Sequence, residues 1–95
     1  MEYDPDIFDA VIFGDLASII LYWAEDTDIN YQENGFTLMM LAVMFNHKDI
    51  VDYLLSKKPD LDLKNNKGET VFEIAYRLED KIIYQKLSTK ERPNH

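Results

Sequence analysis

The stretch GFTLMMLAVMFNHKDIVDYLLSKKPDLDL, residues 35–63, decides the fold. Thr37 suits a helix N-cap, and Gly35 suits the turn before it. The spacing predicts a helix from Thr37 to about Asn46, broken at Asn46-His47. Ile50, Val51, Leu54 and Leu55 then recur at i, i+1, i+4 and i+5, which predicts a second helix over about Lys48–Ser56. Lys58-Pro59-Asp60 ends it, since the residue before a proline is steered away from helical backbone. Met39, Met40 and Met44 all fall in the first of these helices.

Laid on the rest of the chain, this stretch repeats itself in both directions. At an offset of 33 residues Gly35 falls on Gly68, Thr37 on Thr70, Ala42 on Ala75, Ile50 on Ile83 and Leu54 on Leu87. At an offset of 32, Ala10-Val11 falls on Ala42-Val43, Phe13 on Phe45, Gly14 on Asn46, and Asp28-Ile29-Asn30 on Asp60-Leu61-Asp62. A fixed period of this length marks a repeat architecture. Three units, about 1–31, 32–64 and 65–95, fill a single domain. Each reads as two short helices. Asp4-Pro5 reads as an N-cap with proline at the first helical position, and Thr70-x-x-Glu73 as a capping box. One helix pair is too short to stand alone, so stacking must bury the apolar faces.

Composition bounds the function. The 95 residues include no cysteine, which excludes disulfides, thiolate metal sites and thiol catalysis. The acidic start, MEYDPDIFD, has neither a basic leader nor a long apolar run, so no membrane span is expected and a cytoplasmic location is. The net charge of -8 is unevenly spread. Residues 1–46 hold nine acids and no Lys or Arg, whereas residues 47–95 hold nine acids and all ten bases. Such a field repels nucleic acid and anionic membranes and attracts basic partners.

No cofactor or metal is expected. Met40 and Met44 stand i, i+4, a feasible spacing for a soft metal, but nothing on the second helix joins them, so they read as adaptable apolar filler. His47 and His95 form no zinc motif, and neither Ser18 nor Ser56 has partners for a triad. Asp4, Asp6 and Asp9 lack the glycine turn and distal glutamate of a calcium loop. Gly14, Gly35 and Gly68 are isolated turn glycines rather than a phosphate loop.

The matching positions resemble the ankyrin repeat, whose pattern is a glycine turn, T-P-L-H-x-A-A, G-H, I-V-x-x-L-L and G-A-D-V-N. Its glycine, Thr, Ala, His and Ile-Val-x-x-Leu-Leu positions are met in the middle unit by Gly35, Thr37, Ala42, His47, Ile50, Val51, Leu54 and Leu55. The departures are specific. The T-P-L-H histidine is Met40 and Glu73, and the glycine that breaks the first helix is Asn46 and Glu79. Glu73 can replace the missing hydrogen bond through its capping box, and Met40 is expected only to pack. The resemblance implies an all-α solenoid of stacked helix-turn-helix units joined by hairpin-like loops. It further implies a concave partner-binding face formed by the turn tips and the exposed side of each first helix. Carried over position by position, that face comprises Ile12 and Phe13; Glu33, Asn34, Phe36, Met44 and Phe45; and Asn66, Lys67, Glu69, Arg77 and Leu78. Phe36, Met44 and Phe45 are its expected apolar anchors, with Glu33 and the other first-half acids steering a basic partner. The expected role is non-enzymatic binding of a basic protein, for instance as an immunity protein or antitoxin. The alternatives are an adaptor linking several partners and an enzyme with an unrecognised carboxylate site.

Overall fold

The computed structural model describes residues 7–91. Six helices follow one another: α1 (Ile7–Phe13), α2 (Leu16–Tyr22), α3 (Leu38–Met44), α4 (Lys48–Leu55), α5 (Val71–Arg77) and α6 (Lys81–Glu91). They form three pairs. Within each pair the first helix packs on the second, and α1, α3 and α5 stack side by side. Asp4-Pro5, read as the start of the first unit, lies outside the described residues.

The core is the apolar stripe of each helix turned toward its neighbours. In the middle unit Leu38 to Val43 are all buried, as are Ile50, Val51, Leu54 and Leu55. These two runs are covered by a unit on each side. The third unit adds Val71, Ile74, Ala75, Ile83 and Leu87, and the first adds Ala10, Val11 and Ile19.

Local chemistry sets the helix ends. Thr37 Oγ1 accepts from the Met40 amide at 3.1 Å, and Thr70 Oγ1 from the Glu73 amide at 3.3 Å. Glu73 Oε1 returns the contact by accepting from the Thr70 amide at 2.8 Å, which closes a capping box. Met40 does the same more weakly: its Sδ lies 3.5 Å from the Thr37 amide. The expectation that Met40 would only pack is therefore corrected. A polarisable thioether at the third helical position reaches the same N–H that the glutamate reaches one repeat later.

The break between paired helices occupies one repeat position in all three units: Gly14, Asn46 and Glu79. Their φ angles are 76°, 62° and 59°, left-handed in each case. Glycine takes this conformation freely and asparagine tolerates it, but a glutamate is strained there. Glu79→Gly is accordingly expected to stabilise the chain by about 0.5–1 kcal/mol, net of glycine's greater unfolded-state entropy. Equilibrium urea unfolding checks this; an unchanged or lowered midpoint would show that the Glu79 backbone is not strained.

The next residue in each unit starts the second helix. Asp15 accepts from the Ser18 amide at 3.1 Å and Asp80 from the Ile83 amide at 3.0 Å. His47, at the same position, makes no such cap. Its Nε2 instead lies 3.1 Å from the Ile12 carbonyl oxygen in the first unit. A carbonyl only accepts, so Nε2 carries the proton. The histidine is a structural tie between units.

Candidate functional site

Repeat symmetry puts Phe13, Phe45 and Leu78 in one row, each closing the first helix of its unit. Phe45 and Leu78 are the C-cap residues of α3 and α5, with nearly the same backbone (φ -99°, ψ 7° and φ -84°, ψ 0°). All three side chains face water, at 80%, 46% and 44% exposure. The other apolar residues expected on this face sit differently. Ile12, Phe36 and Met44 are half-buried and pack against the core. The exposed apolar area of the face therefore centres on Phe13, Phe45 and Leu78.

The turn tips precede α3 and α5, and in the third unit Arg77, next to Leu78, reaches back to the tip at Glu69. At the first described tip, Glu33 and Phe36 exchange both backbone hydrogen bonds, at 2.9 and 3.0 Å. Asn34 and Gly35 between them have φ of 54° and 86°. Positive φ at both central residues defines the two-residue hairpin turn that Asn-Gly favours. From the sequence, Gly35 alone placed a turn here; the Asn34-Gly35 dipeptide would have specified the hairpin. At the next tip, Asn65 Oδ1 accepts from the amides of Lys67 and Glu69, both at 2.9 Å, and the Asn65 amide donates to the Glu69 carbonyl at 2.9 Å. The tips are tied together. Asn66 Nδ2 donates to the Asn34 carbonyl at 3.3 Å, and Gln32 Nε2 to the Lys64 carbonyl at 2.8 Å.

Two residues carried over separately turn out to be partners. Arg77 grips Glu69 with two hydrogen bonds, Nε to Oε2 at 2.8 Å and Nη2 to Oε1 at 3.1 Å. The guanidinium, helped by the Asn65 amide, holds the Glu69 carboxyl below the usual carboxylate range. The pair cancels charge on the third unit's part of the face. Negative charge is left concentrated on the N-terminal side, where Glu33 stands half-exposed in a half-chain with no Lys or Arg. Lys67 and Asn66 are exposed at the second tip.

Elsewhere, Trp23 meets Tyr53 edge-on, with ring centroids 5.7 Å apart. Lys57 Nζ lies 5.2 Å from the Trp23 ring and 5.0 Å from the Tyr53 ring. This closes a cation–π cluster joining the first two units. It accounts for Trp23 structurally, while Tyr22 stays partly exposed. Among the described residues no three His, Asp or Glu side chains gather as a metal site. None of the Asp or Glu residues from Asp9 to Asp80 is buried. Among the described residues no helix is long and apolar enough to cross a membrane.

Comparison with known proteins agrees with the repeat geometry. The family model for ankyrin repeats (3 copies) matches residues 7–92. Over 73 residues the chain is 33% identical to ankyrin repeat and SAM domain-containing protein 6 of Rattus norvegicus, covering 75% of this chain and 8% of that protein. Over 80 residues it is 29% identical to ankyrin repeat domain-containing protein 40 of Homo sapiens, covering 82% of this chain and 22% of the relative. The chain thus spans a small part of the length of these relatives. It also superposes on a chain from the solved complex of a predatory endopeptidase of Bdellovibrio bacteriovorus with an immunity protein. There the TM-score is 0.81 and the identity 35%, over 94% of this chain and 47% of the other.

Proposed function

The chain belongs to the ankyrin-repeat family, and from that premise we propose that it is a non-enzymatic module that binds and occupies one basic protein, as an immunity-type inhibitor. The observation that carries this reading is the exposed row Phe13, Phe45 and Leu78 at the ends of the first helices, in a chain whose residues 1–46 hold nine acids and no Lys or Arg. Repeat stacks of this kind bind partners on an extended surface built from equivalent positions of successive units. Aromatic side chains exposed there have no structural task and supply a buried anchor on binding.

Roles follow position by position. Phe13, Phe45 and Leu78 bury against the partner. Phe36 and Met44, half-seated on the core, form the floor between them. Asn34, Asn66 and Lys67 contact it at the tips, and Glu33 draws its basic groups. The Glu69–Arg77 pair sets the rim of the third unit rather than attracting charge. The solved neighbour, whose complex joins an endopeptidase to an immunity protein, supports the inhibitor form of this reading.

Salt tests the electrostatic claim. The field of nine uncompensated acids extends about 30 Å at 0.01 M salt and about 8 Å at 0.15 M. The association rate with a partner captured from the native source is expected to fall at least about tenfold across that range. A rate that does not change would remove basicity from the description of the partner.

A further inference from the structure

We propose that Asn34-Gly35, at the first described turn tip, is a site of self-modification: it deamidates without an enzyme, with water as the only co-reactant, when the hairpin opens.

The chemistry needs an asparagine side chain that is free to move and a following backbone amide that is free to attack it. It also needs no side chain on the following residue to block the approach. Five asparagines lie among the described residues, and four are tied through their side chains. Asn30 Oδ1 accepts from the Asp60 amide at 2.8 Å, and Asn46 Oδ1 from Lys48 Nζ at 2.8 Å. Asn65 Oδ1 accepts from two amides while its Nδ2 donates to Glu69 at 3.1 Å. Asn66 Nδ2 donates to the Asn34 carbonyl at 3.3 Å. Of the five, only Asn34 has a side chain with no hydrogen-bond partner among the described residues, and it is exposed. The other four are followed by Tyr31, His47, Asn66 and Lys67, and Asn34 by glycine. The Gly35 amide donates to nothing among the described residues, whereas the Glu33 and Phe36 amides on either side are both bonded.

Gly35 cannot be exchanged to blunt this reactivity. Its φ is 86°, and the Asn66 amide group fills the place of a side chain, 2.6 Å from where a Cβ would stand. The dipeptide that suits the turn is the one that reacts.

The step balances as a hydrolysis. The Gly35 nitrogen bonds to Asn34 Cγ, the Cγ–Nδ2 bond breaks, and ammonia leaves with the proton that the nitrogen gives up. The product is a succinimide ring. Water then opens either of its carbonyl–nitrogen bonds, placing its hydroxyl on the carbon and its proton on the nitrogen. One opening gives aspartate. The other gives isoaspartate, in which the main chain runs through Cβ and Cγ and gains one carbon. Nothing is oxidised or reduced.

The closed turn sets the rate. In a turn of this mirror-image type the first central residue has a small positive ψ, which holds the next nitrogen anti to the side chain about the Cα–C bond. Ring closure needs the two on the same side, so the paired hydrogen bonds of Glu33 and Phe36 must open first. Both products place a carboxylate at the tip, and isoaspartate also lengthens a two-residue turn, so the pair cannot re-form in register. A weaker contact with a partner at this tip would follow; that consequence rests on the binding reading above, and the modification does not.

The test is incubation at physiological pH and temperature followed by peptide mapping with mass spectrometry, on wild type in buffer, wild type in urea, and Asn66→Ala. In folded wild type Asn34 is expected to convert ahead of Asn30, Asn46, Asn65 and Asn66, with isoaspartate among the products. In urea its conversion should be about ten- to a hundredfold faster, since the opened tip is a minor state of the folded chain. Asn66→Ala removes a tie to the Asn34 carbonyl and should quicken conversion by roughly two- to tenfold, the population equivalent of one hydrogen bond. Far-UV circular dichroism checks that this variant folds; Gln32→Ala, which frees the Gly35 carbonyl, replaces it otherwise. Asn34 intact in the folded chain long after the urea sample has converted, or another of the five converting first, overturns the proposal. A rate that urea or the tip variant leaves unchanged overturns control by the hairpin. No partner enters the experiment, so its failure is distinct from failure of the binding reading.

Discussion

Replacing Phe13 and Phe45 together with alanine is expected to weaken partner binding by on the order of a thousandfold, with the fold unchanged. A central aromatic anchor at a protein interface is worth about 2 kcal/mol or more, and two of them convert to roughly three decades of affinity. Both side chains are exposed, so their removal opens no cavity, and thermal stability should stay within about 0.5 kcal/mol of wild type. Phe36→Ala is the informative contrast. Phe36 leans on the core, so its truncation lowers stability as well as affinity. Binding by calorimetry and unfolding by urea, measured on the same variants, separate the two effects. Full affinity in the double variant would mean that the partner sits elsewhere.

Gly14→Ala is expected to cost about 2–3 kcal/mol of stability, which lowers Tm by roughly 10–20 °C in a chain of this size. Two causes add. Gly14 has φ of 76°, which strains an alanine, and the added Cβ would lie 2.7 Å from Cε1 of the His47 ring. The ring must then move, and the 3.1 Å hydrogen bond from His47 to the Ile12 carbonyl goes with it. That bond is one of the ties between the first two units, beside the Trp23–Tyr53–Lys57 cluster, so the first unit loosens ahead of the others. Gly68→Ala separates the causes. Gly68 has a similar φ of 81°, but a Cβ there meets nothing within 4 Å, so only the backbone cost remains. Equal losses at Gly14 and Gly68 would refute the part assigned to His47.

The repeat period made most of the fold legible before any coordinates. Thr37 and Thr70 announced their helix starts, and the Ile50, Val51, Leu54, Leu55 stripe announced a core that is indeed buried. Asn46 and Glu79 were legible as departures from a glycine. That they keep the glycine's left-handed backbone was not, because the neighbouring helices impose it. Met40 was misjudged because a thioether is rarely counted as a hydrogen-bond acceptor.

The candidate site was only partly legible. Offsets of 32 and 33 align Phe13, Phe45 and Leu78, so the row could have been drawn from sequence. The depth at which Phe36 and Met44 sit depends on packing between units, which no pattern within one unit encodes. The Glu69–Arg77 pair spans eight positions and joins a turn tip to the far end of the helix after it. Helix pairs at i, i+4 do not anticipate it.

The central claim is that one face, made of turn tips and first-helix ends, receives a protein partner. Amide hydrogen exchange, with and without the captured partner, tests it most directly. The account predicts added protection at residues 33–36 and 66–69 and at the ends of α1, α3 and α5, with α2, α4 and α6 unchanged. Protection confined to α2, α4 and α6, with the tips exchanging as in the free chain, would contradict it.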